Sequence, residues 1–196
     1  MSEEDLIQGC LKYEHASQRA LYEQYFSKMM HICIRYAKNQ QDAKAILLYG
    51  FKNIFNGFRN YLDVNAKRKK DTPPVSLEDW IKKEIIASAV QHMHDDKKEY
   101  FVSSTVSMRD SEKQSTGELS DEQIMKAADK KMIIKSLQQL TPSYRAVYNL
   151  HEVDGYDHPE ISKLLDISEY ISKDSLSKAK FNLRKNIARM VPNNLS

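Results

Sequence analysis

The sequence predicts an all-α protein made of two small helical domains joined by a flexible linker. Three observations carry that expectation. Apolar residues recur at three- and four-residue spacing through most of the first hundred positions, and the same rhythm returns at Met132. Glycine and proline number only five each in 196 residues, few for a chain built on tight β-turns. Between the two helical stretches, positions 103–120 read SSTVSMRDSEKQSTGELS, rich in Ser and Thr with little to bury. The expected boundaries are 1–100 for the first domain, 101–123 for the linker and 124–196 for the second domain.

Each element has its own signal. A short helix is expected around Leu6 to Leu11. Then come three amphipathic stripes, Leu21, Tyr25, Met29, Ile32, Cys33, Tyr36; Ile46, Leu47, Phe51, Ile54, Phe55, Phe58, Leu62; and Leu77, Trp80, Ile81, Ile85, Ala89, Met93. Such stripes bury themselves by packing as a bundle. The third begins just after the Pro73-Pro74 break. Before it lies a polar loop, Asp63 to Ser76, with four consecutive cations from Lys67 to Lys70.

Past the linker, Met132, Ile133, Leu137 and Leu140 start a helix. Thr141-Pro142 has the form of an N-cap followed by proline in the first turn, and that helix should stop near Gly155. Asp157 with Glu160 three residues on has the form of a capping box for a short helix, Pro159 to Leu165. The turn Asp166-Ile167-Ser168 follows, and Ser168 can cap a last helix from about Glu169 to Met190.

Net charge is only +3, too little to imply nucleic acid by itself. Its distribution says more. From Lys173 to Arg189 there are six cations against one acid. Two short helices joined by a tight turn, the second basic, is the pattern of a DNA-reading helix-turn-helix. Ser162 places a small side chain where the two helices would cross. Asp166 tolerates the left-handed conformation such a turn often needs. Cations on the second helix suit phosphate contacts, and Ser172, Ser175 and Ser177 can hydrogen-bond to backbone or base edges.

The second domain resembles the promoter-reading region 4 of extracytoplasmic-function sigma factors. The likeness rests on TPSYRAVYNL from Thr141, GYDHPEIS from Gly155, LLDISE from Leu164 and SKDSLSKAK from Ser172, and it runs over about fifty residues without a gap. It implies that the face carrying Tyr170, Ser172, Lys173, Ser175, Ser177 and Lys178 enters the major groove of an upstream promoter element. Asp166 and Tyr170 stand where the family usually has glycine, so the base preference should differ.

The first domain is similar to region 2 of the same family, through Leu6, Ile7, Gly9, Leu21, Tyr22, Tyr25, Asp42, Ala43, Ile46, Phe51, Phe55 and Trp80-Ile81. That likeness implies a contact with core RNA polymerase through Asp42, Ala43, Ile46, Phe51 and Phe55. It also implies a downstream promoter contact through Lys67, Arg68, Lys69, Lys70, Trp80 and Lys83. Here the departures are larger. Where the family carries an acidic docking surface this chain reads DAKAILLYGF, keeping only Asp42 among the charges and reversing one at Lys44. Ala87 and Gln91 replace an Asn and an Asp.

The expected function is an alternative sigma factor that directs RNA polymerase to promoters. The rival is a sigma-like DNA-binding regulator, or a decoy for an anti-sigma factor, without initiation activity. The expected partners are core RNA polymerase, promoter DNA and an anti-sigma factor. No enzymatic activity, cofactor, metal or small-molecule substrate is expected. The sequence holds no GxxxxGK[ST], HExxH, GxSxG or GxGxxG. His92, His94, Asp95 and Asp96 read as a solvated helix end rather than a metal site, because residues two apart do not share a helix face. Cys10 and Cys33 read as free thiols. No charged-then-apolar leader opens the sequence and no apolar run approaches ~20 residues, so a cytoplasmic protein that is not membrane-inserted is expected.

Overall fold

The computed structural model describes residues 2–96 and 128–191, with only the backbone of residues 94–96. The expected linker, and the side chains of His94, Asp95 and Asp96, lie outside the described residues. The chain divides into two compact units near His92. The described residues form helices and their connections, with no strand among them. No described helix is long and apolar enough to cross a membrane.

The first unit holds α1 (Glu3–Leu11), α2 (His15–Tyr36), α3 (Gln40–Ala66) and α4 (Leu77–Asp96). Helix α1 starts in a capping box: the Asp5 amide donates to Ser2 Oγ at 3.1 Å and the Ser2 amide to Asp5 Oδ2 at 3.2 Å. Asn39 caps α3, accepting from the Asp42 amide at 2.9 Å. Ser76 caps α4, accepting from the Asp79 amide at 3.0 Å. These side chains satisfy amides that have no partner in the first helical turn.

The inward stripes meet in one core. Leu21, Met29, Ile32 and Cys33 of α2 are buried with Ile46, Leu47, Ile54 and Phe58 of α3 and Ile81, Ile85 and Ala89 of α4. Burial pushes the Cys33 thiol up to about 12 and the Cys10 thiol up to about 11, so both sulfurs stay protonated and unreactive at neutral pH. Lys28 of α2 and Glu78 of α4 pair on the surface at 2.7 Å.

The second unit holds α5 (Lys130–Gln138), α6 (Pro142–Tyr148), α7 (His158–Leu165) and α8 (Glu169–Ala188). Helix α6 widens at its end into a π-helical turn, Asn149–Val153, closed by the Asp154 amide on the Asn149 carbonyl at 2.9 Å. Gly155 follows with φ +79. A Cβ there would meet nothing within 4 Å, so the backbone conformation alone calls for glycine. Leu137 and Leu140 pack with Ala179, Leu183, Ile187 and Val191, and Tyr144 and Tyr148 of α6 close over them.

Gly50 sets the spacing of α3 against α4. A Cβ on it would lie 2.4 Å from Ile85 Cδ1, the tip of a fully buried side chain that would have to shift. Gly50→Val should therefore cost about 1–3 kcal/mol by overpacking. Urea unfolding of the full chain measures this, and an unchanged midpoint for the first unit would show that the seam is looser than described.

Candidate nucleic-acid interface

Helix α7 starts as its sequence dictates. The Glu160 amide donates to Asp157 Oδ1 at 2.8 Å, and the Asp157 amide donates to Glu160 Oε2 at 2.9 Å, a complete capping box. At its other end Asp166 takes the left-handed conformation, φ 53 and ψ 49. The Ile167 amide then bonds back to the Ser162 carbonyl at 3.1 Å, while Ser162 Oγ donates to the Ile167 carbonyl. Ser162 is thus a clamp on the turn as well as a small residue at a crossing. Ser168 caps α8, accepting from the Ile171 amide at 3.2 Å.

The turn sets which face of α8 is outward. Ser172, Ser175, Leu176, Ala179, Leu183 and Ile187 are buried, at the three- and four-residue spacing of one helix face. Tyr170 is 78% exposed, Lys173 and Ser177 are exposed beside it, and Phe181 continues the same side. This corrects two of the six expected DNA contacts. Ser172 and Ser175 share the core face with Leu176 and Ala179, so their hydroxyls point away from any groove. Lys178 is also largely withdrawn, its side chain 13% exposed and paired with Asp174 at 2.7 Å. Tyr170, Lys173 and Ser177 are the expected contacts that do share an open face. Lys173 is held only loosely, 3.7 Å from Glu169.

A polar chain fastens this face in place; His158, Ser172 and Lys180 belong to the sequence motif, while His151 and Glu152 lie outside it. His158 Nδ1 is hydrogen-bonded to Ser172 Oγ at 2.9 Å, which joins the start of α7 to the buried side of α8. The His151 ring stacks on His158 with centroids 4.6 Å apart. His151 Nδ1 donates to Glu152 Oε1 at 2.8 Å, and Lys180 donates to the same oxygen at 2.9 Å. The π-helical turn, α7 and α8 are thereby linked. The Lys180 bond, with help from His151, holds the Glu152 carboxyl below its usual range against the opposing effect of burial. Burial, then the nearby His151 and Lys173, lower the affinity of His158 for a proton, while Glu169 and Asp157 pull weakly the other way.

Arg145 supports the domain from beneath. It is 4% exposed, and its guanidinium donates to three carbonyls at the end of α5: Leu137 at 2.9 Å, Gln138 at 3.0 Å and Leu140 at 2.8 Å. The Leu137 carbonyl also accepts from the Leu140 amide at 3.1 Å, and one fixed, planar group bonds to all three carbonyls. Asn149, fully buried, donates to the Arg145 carbonyl at 2.8 Å. The sequence pattern marks both residues only as matched positions; their work inside the fold becomes visible with the carbonyls they bond.

In the first unit the expected contacts separate. Lys67, Arg68, Lys69, Lys70 and Lys83 are exposed. Helix α3 runs to Ala66, so the loop is shorter than expected. Asn65 pins its far end: its side chain donates to the Val75 carbonyl at 3.1 Å and accepts from the Val75 amide at 2.8 Å. Arg68 bonds to the Thr72 carbonyl at 2.6 Å, leaving a compact turn of cations. Trp80 is a correction. It is 6% exposed, with its ring 5.3 Å from Phe58 and 5.1 Å from Tyr61, and so it is a core residue and not a stacking platform for DNA.

The expected polymerase contacts are corrected too. Ala43, Ile46 and Phe51 are buried on the core face of α3, and Phe55 is half-buried. Asp42 is turned inward at the start of the helix. It accepts from His92 Nε2 at 2.7 Å and from the Lys38 amide at 2.9 Å. Burial opposes its charge, but those two bonds win and hold the carboxyl below the usual range. The residues that α3 does present are Lys44, Ala45, Leu48, Tyr49 and Lys52.

Residues 130–173 match the family model described as Sigma-70, region 4. This stretch of the C-terminal unit is similar to sigma-70 region 4. The match begins where α5 begins and ends at Lys173, so it covers α5 to α7, the turn and the start of α8. No curated protein matches the chain. Region 4 domains are DNA-binding helix-turn-helix modules of sigma factors, and the second helix of the pair is the one that lies in the major groove.

Two outcomes follow for region 4. Arg145→Met should cost about 3 kcal/mol or more, because several buried carbonyls lose their donor together. Thermal unfolding measures the loss; a change under 1 kcal/mol would mean that water replaces the guanidinium. The second concerns pH. His158 takes up a proton less readily folded than unfolded, so its contribution to stability is present above the unfolded value of about 6.5 and falls away as pH drops below it. The fall in stability between pH 7 and 5 should be smaller in His158→Gln, and equal falls in the two proteins would remove His158 as its cause.

Proposed function

We propose that this chain is an alternative sigma factor of the extracytoplasmic-function type, which brings core RNA polymerase to promoters in the cytoplasm. The observation that carries the reading is the region 4 domain with its outward face intact: a capped, turn-locked reading helix that exposes Tyr170, Lys173 and Ser177. In this reading residues 124–196 bind the upstream element, residues 101–123 tether the domains, and residues 1–100 engage polymerase and the downstream element. The cations Lys67 to Lys70 and Lys83 would track phosphates there, by charge and without base reading. An anti-sigma factor is the expected regulator. Promoter opening on this account uses binding energy to hold unstacked bases, with no covalent chemistry by the chain.

A second reading is favoured by one observation. The face of α3 that resemblance makes a polymerase contact exposes cations and apolar groups, and its one family-like acid, Asp42, is tied to His92. A region 4 domain on such a frame could act as a DNA-binding regulator or as a decoy for an anti-sigma factor. Reconstitution decides between them. Purified chain and core polymerase should form a complex that transcribes from a subset of a promoter library. Salt-sensitive DNA binding without a holoenzyme would overturn the sigma-factor reading in favour of the second.

On DNA itself, Lys173→Ala should weaken binding about equally across sequences and lower the salt slope by about 1, as expected for one lost phosphate contact. Fluorescence anisotropy over a range of salt measures it. An unchanged slope would show that this side of α8 is not against the backbone.

A further inference from the structure

The outer face of α3 is built unlike an ordinary solvated helix. From Ala43 to Leu62 the helix carries no acid at all. Leu48 is 62% exposed, Leu62 and Tyr49 are each 37% exposed, and Phe55 sits half-buried between Leu48 and Leu62. Leu48, Phe55 and Leu62 are spaced seven apart, so they form one continuous stripe. Ala45, Lys52 and Arg59 form a second row at the same spacing along its flank. A seven-residue repeat is the period at which one helix keeps contact with another along its length. On the other side of the stripe Phe51 meets Tyr22 of α2 at 4.7 Å, and Tyr22 meets Phe26 at 5.4 Å. Phe26 is itself exposed. The stripe therefore runs along an aromatic edge between α2 and α3.

The charges choose the partner. Lys44, Lys52 and Arg59 are exposed on this face, and no carboxylate of α3 lies among them. The α2 side brings Arg19 and Glu23, which pair with each other at 2.8 Å and add no net charge. A second copy of α3 would set cations against cations, so self-association through this face is opposed. An anionic membrane surface shares the liking for basic and apolar groups. It has no use for a repeat of seven, however, and a membrane-lying helix needs a wider apolar face than one row of single side chains.

We infer that the outer face of α3 docks an amphipathic α-helix of a protein partner, one that carries an aliphatic seven-residue stripe flanked by glutamate or aspartate. The apolar stripe supplies contact area, and the cations select partner and register, as flanking charges do in paired helices. From Ala45 to Leu62 the face is about 26 Å long, the length of a helix of roughly 18 residues. The inference concerns the first unit alone and stands whether or not region 4 delivers polymerase to a promoter.

The test uses the full chain and two synthetic 21-residue helices that share leucine at each core position of the repeat. They differ only in carrying Glu or Lys at the flanking positions. Binding is read by anisotropy of the labelled peptides at low salt. The Glu helix should bind at least about tenfold tighter than the Lys helix, a gap of roughly 1.4 kcal/mol, and the gap should narrow as salt rises. Leu48→Glu should abolish binding, and the triple variant Lys44→Glu, Lys52→Glu, Arg59→Glu should reverse the preference. All four positions are exposed, so circular dichroism and DNA binding by region 4 should be unchanged in these variants. Equal binding of the two helices, tighter binding of the Lys helix, or binding of neither would overturn the inference. Capture by phosphatidylglycerol vesicles without peptide binding would replace it with a membrane surface.

Discussion

The contact between His158 and the buried Ser172 hydroxyl is the small joint on which the C-terminal domain turns. A reading helix must give one face to its own core and the opposite face to DNA, and rotation about its axis by a single residue would exchange them. Apolar packing of Leu176, Leu183 and Ile187 already resists that rotation, since a turn by one residue would bring Lys173, Lys180 and Arg184 into the core. A directional bond from the first residue of α7 to the inner side of α8, at the start of the reading helix, fixes the rotation. Ser162 and the left-handed Asp166 set the angle at the turn. The stacked His151 and the Glu152–Lys180 pair then tie the preceding π-helical turn to the same helix. Because these contacts tie the π-helical turn, α7 and α8 together through polar side chains, the domain can hold its geometry on a small apolar core.

The two units solve their assembly differently. In the first, long helices bury continuous stripes, and specificity of packing comes from shape: the bare backbone at Gly50 receives Ile85, and Trp80 fills the space against Phe58 and Tyr61. In the second, short helices with few apolar residues rely on side chains that satisfy backbone groups. Arg145 closes the end of α5, and Asn149, at the start of the widened turn, bonds back to the Arg145 carbonyl. Loss of one such group strands several partners at once, which is why a single buried arginine can matter as much as a core leucine.

Much of this was legible in the residues. Periodicity gave the helices, and capping chemistry gave their starts at Thr141, Asp157 and Ser168, because a cap is a local bond between residues three apart. Asp166 marked the left-handed turn for the same reason. Orientation was harder. Serines at 172, 175 and 177 look alike as residue types, yet only Ser177 faces outward, since Ser172 and Ser175 lie one helical turn before the buried Leu176 and Ala179. The expected polymerase-contact residues met the same difficulty. Ala43, Ile46 and Phe51 match a family pattern, but matching positions on an amphipathic helix are as often its buried side. Asp42 could not be read as an internal partner without His92, fifty residues on. Trp80 is a related case: its place in the apolar stripe reads as core, resemblance alone offers it as a contact, and its packing against Phe58 and Tyr61 agrees with the stripe.

The central claim is that the outward face of α8, led by Tyr170, reads bases in the promoter. The measurement that tests it most directly is in vitro selection of upstream sequences by the wild-type chain and by Tyr170→Ala, each bound from the same random duplex pool. The account predicts that the variant keeps the common register and most of its affinity but loses base preference at one or two adjacent positions. Identical selected sequences from the two proteins would contradict it.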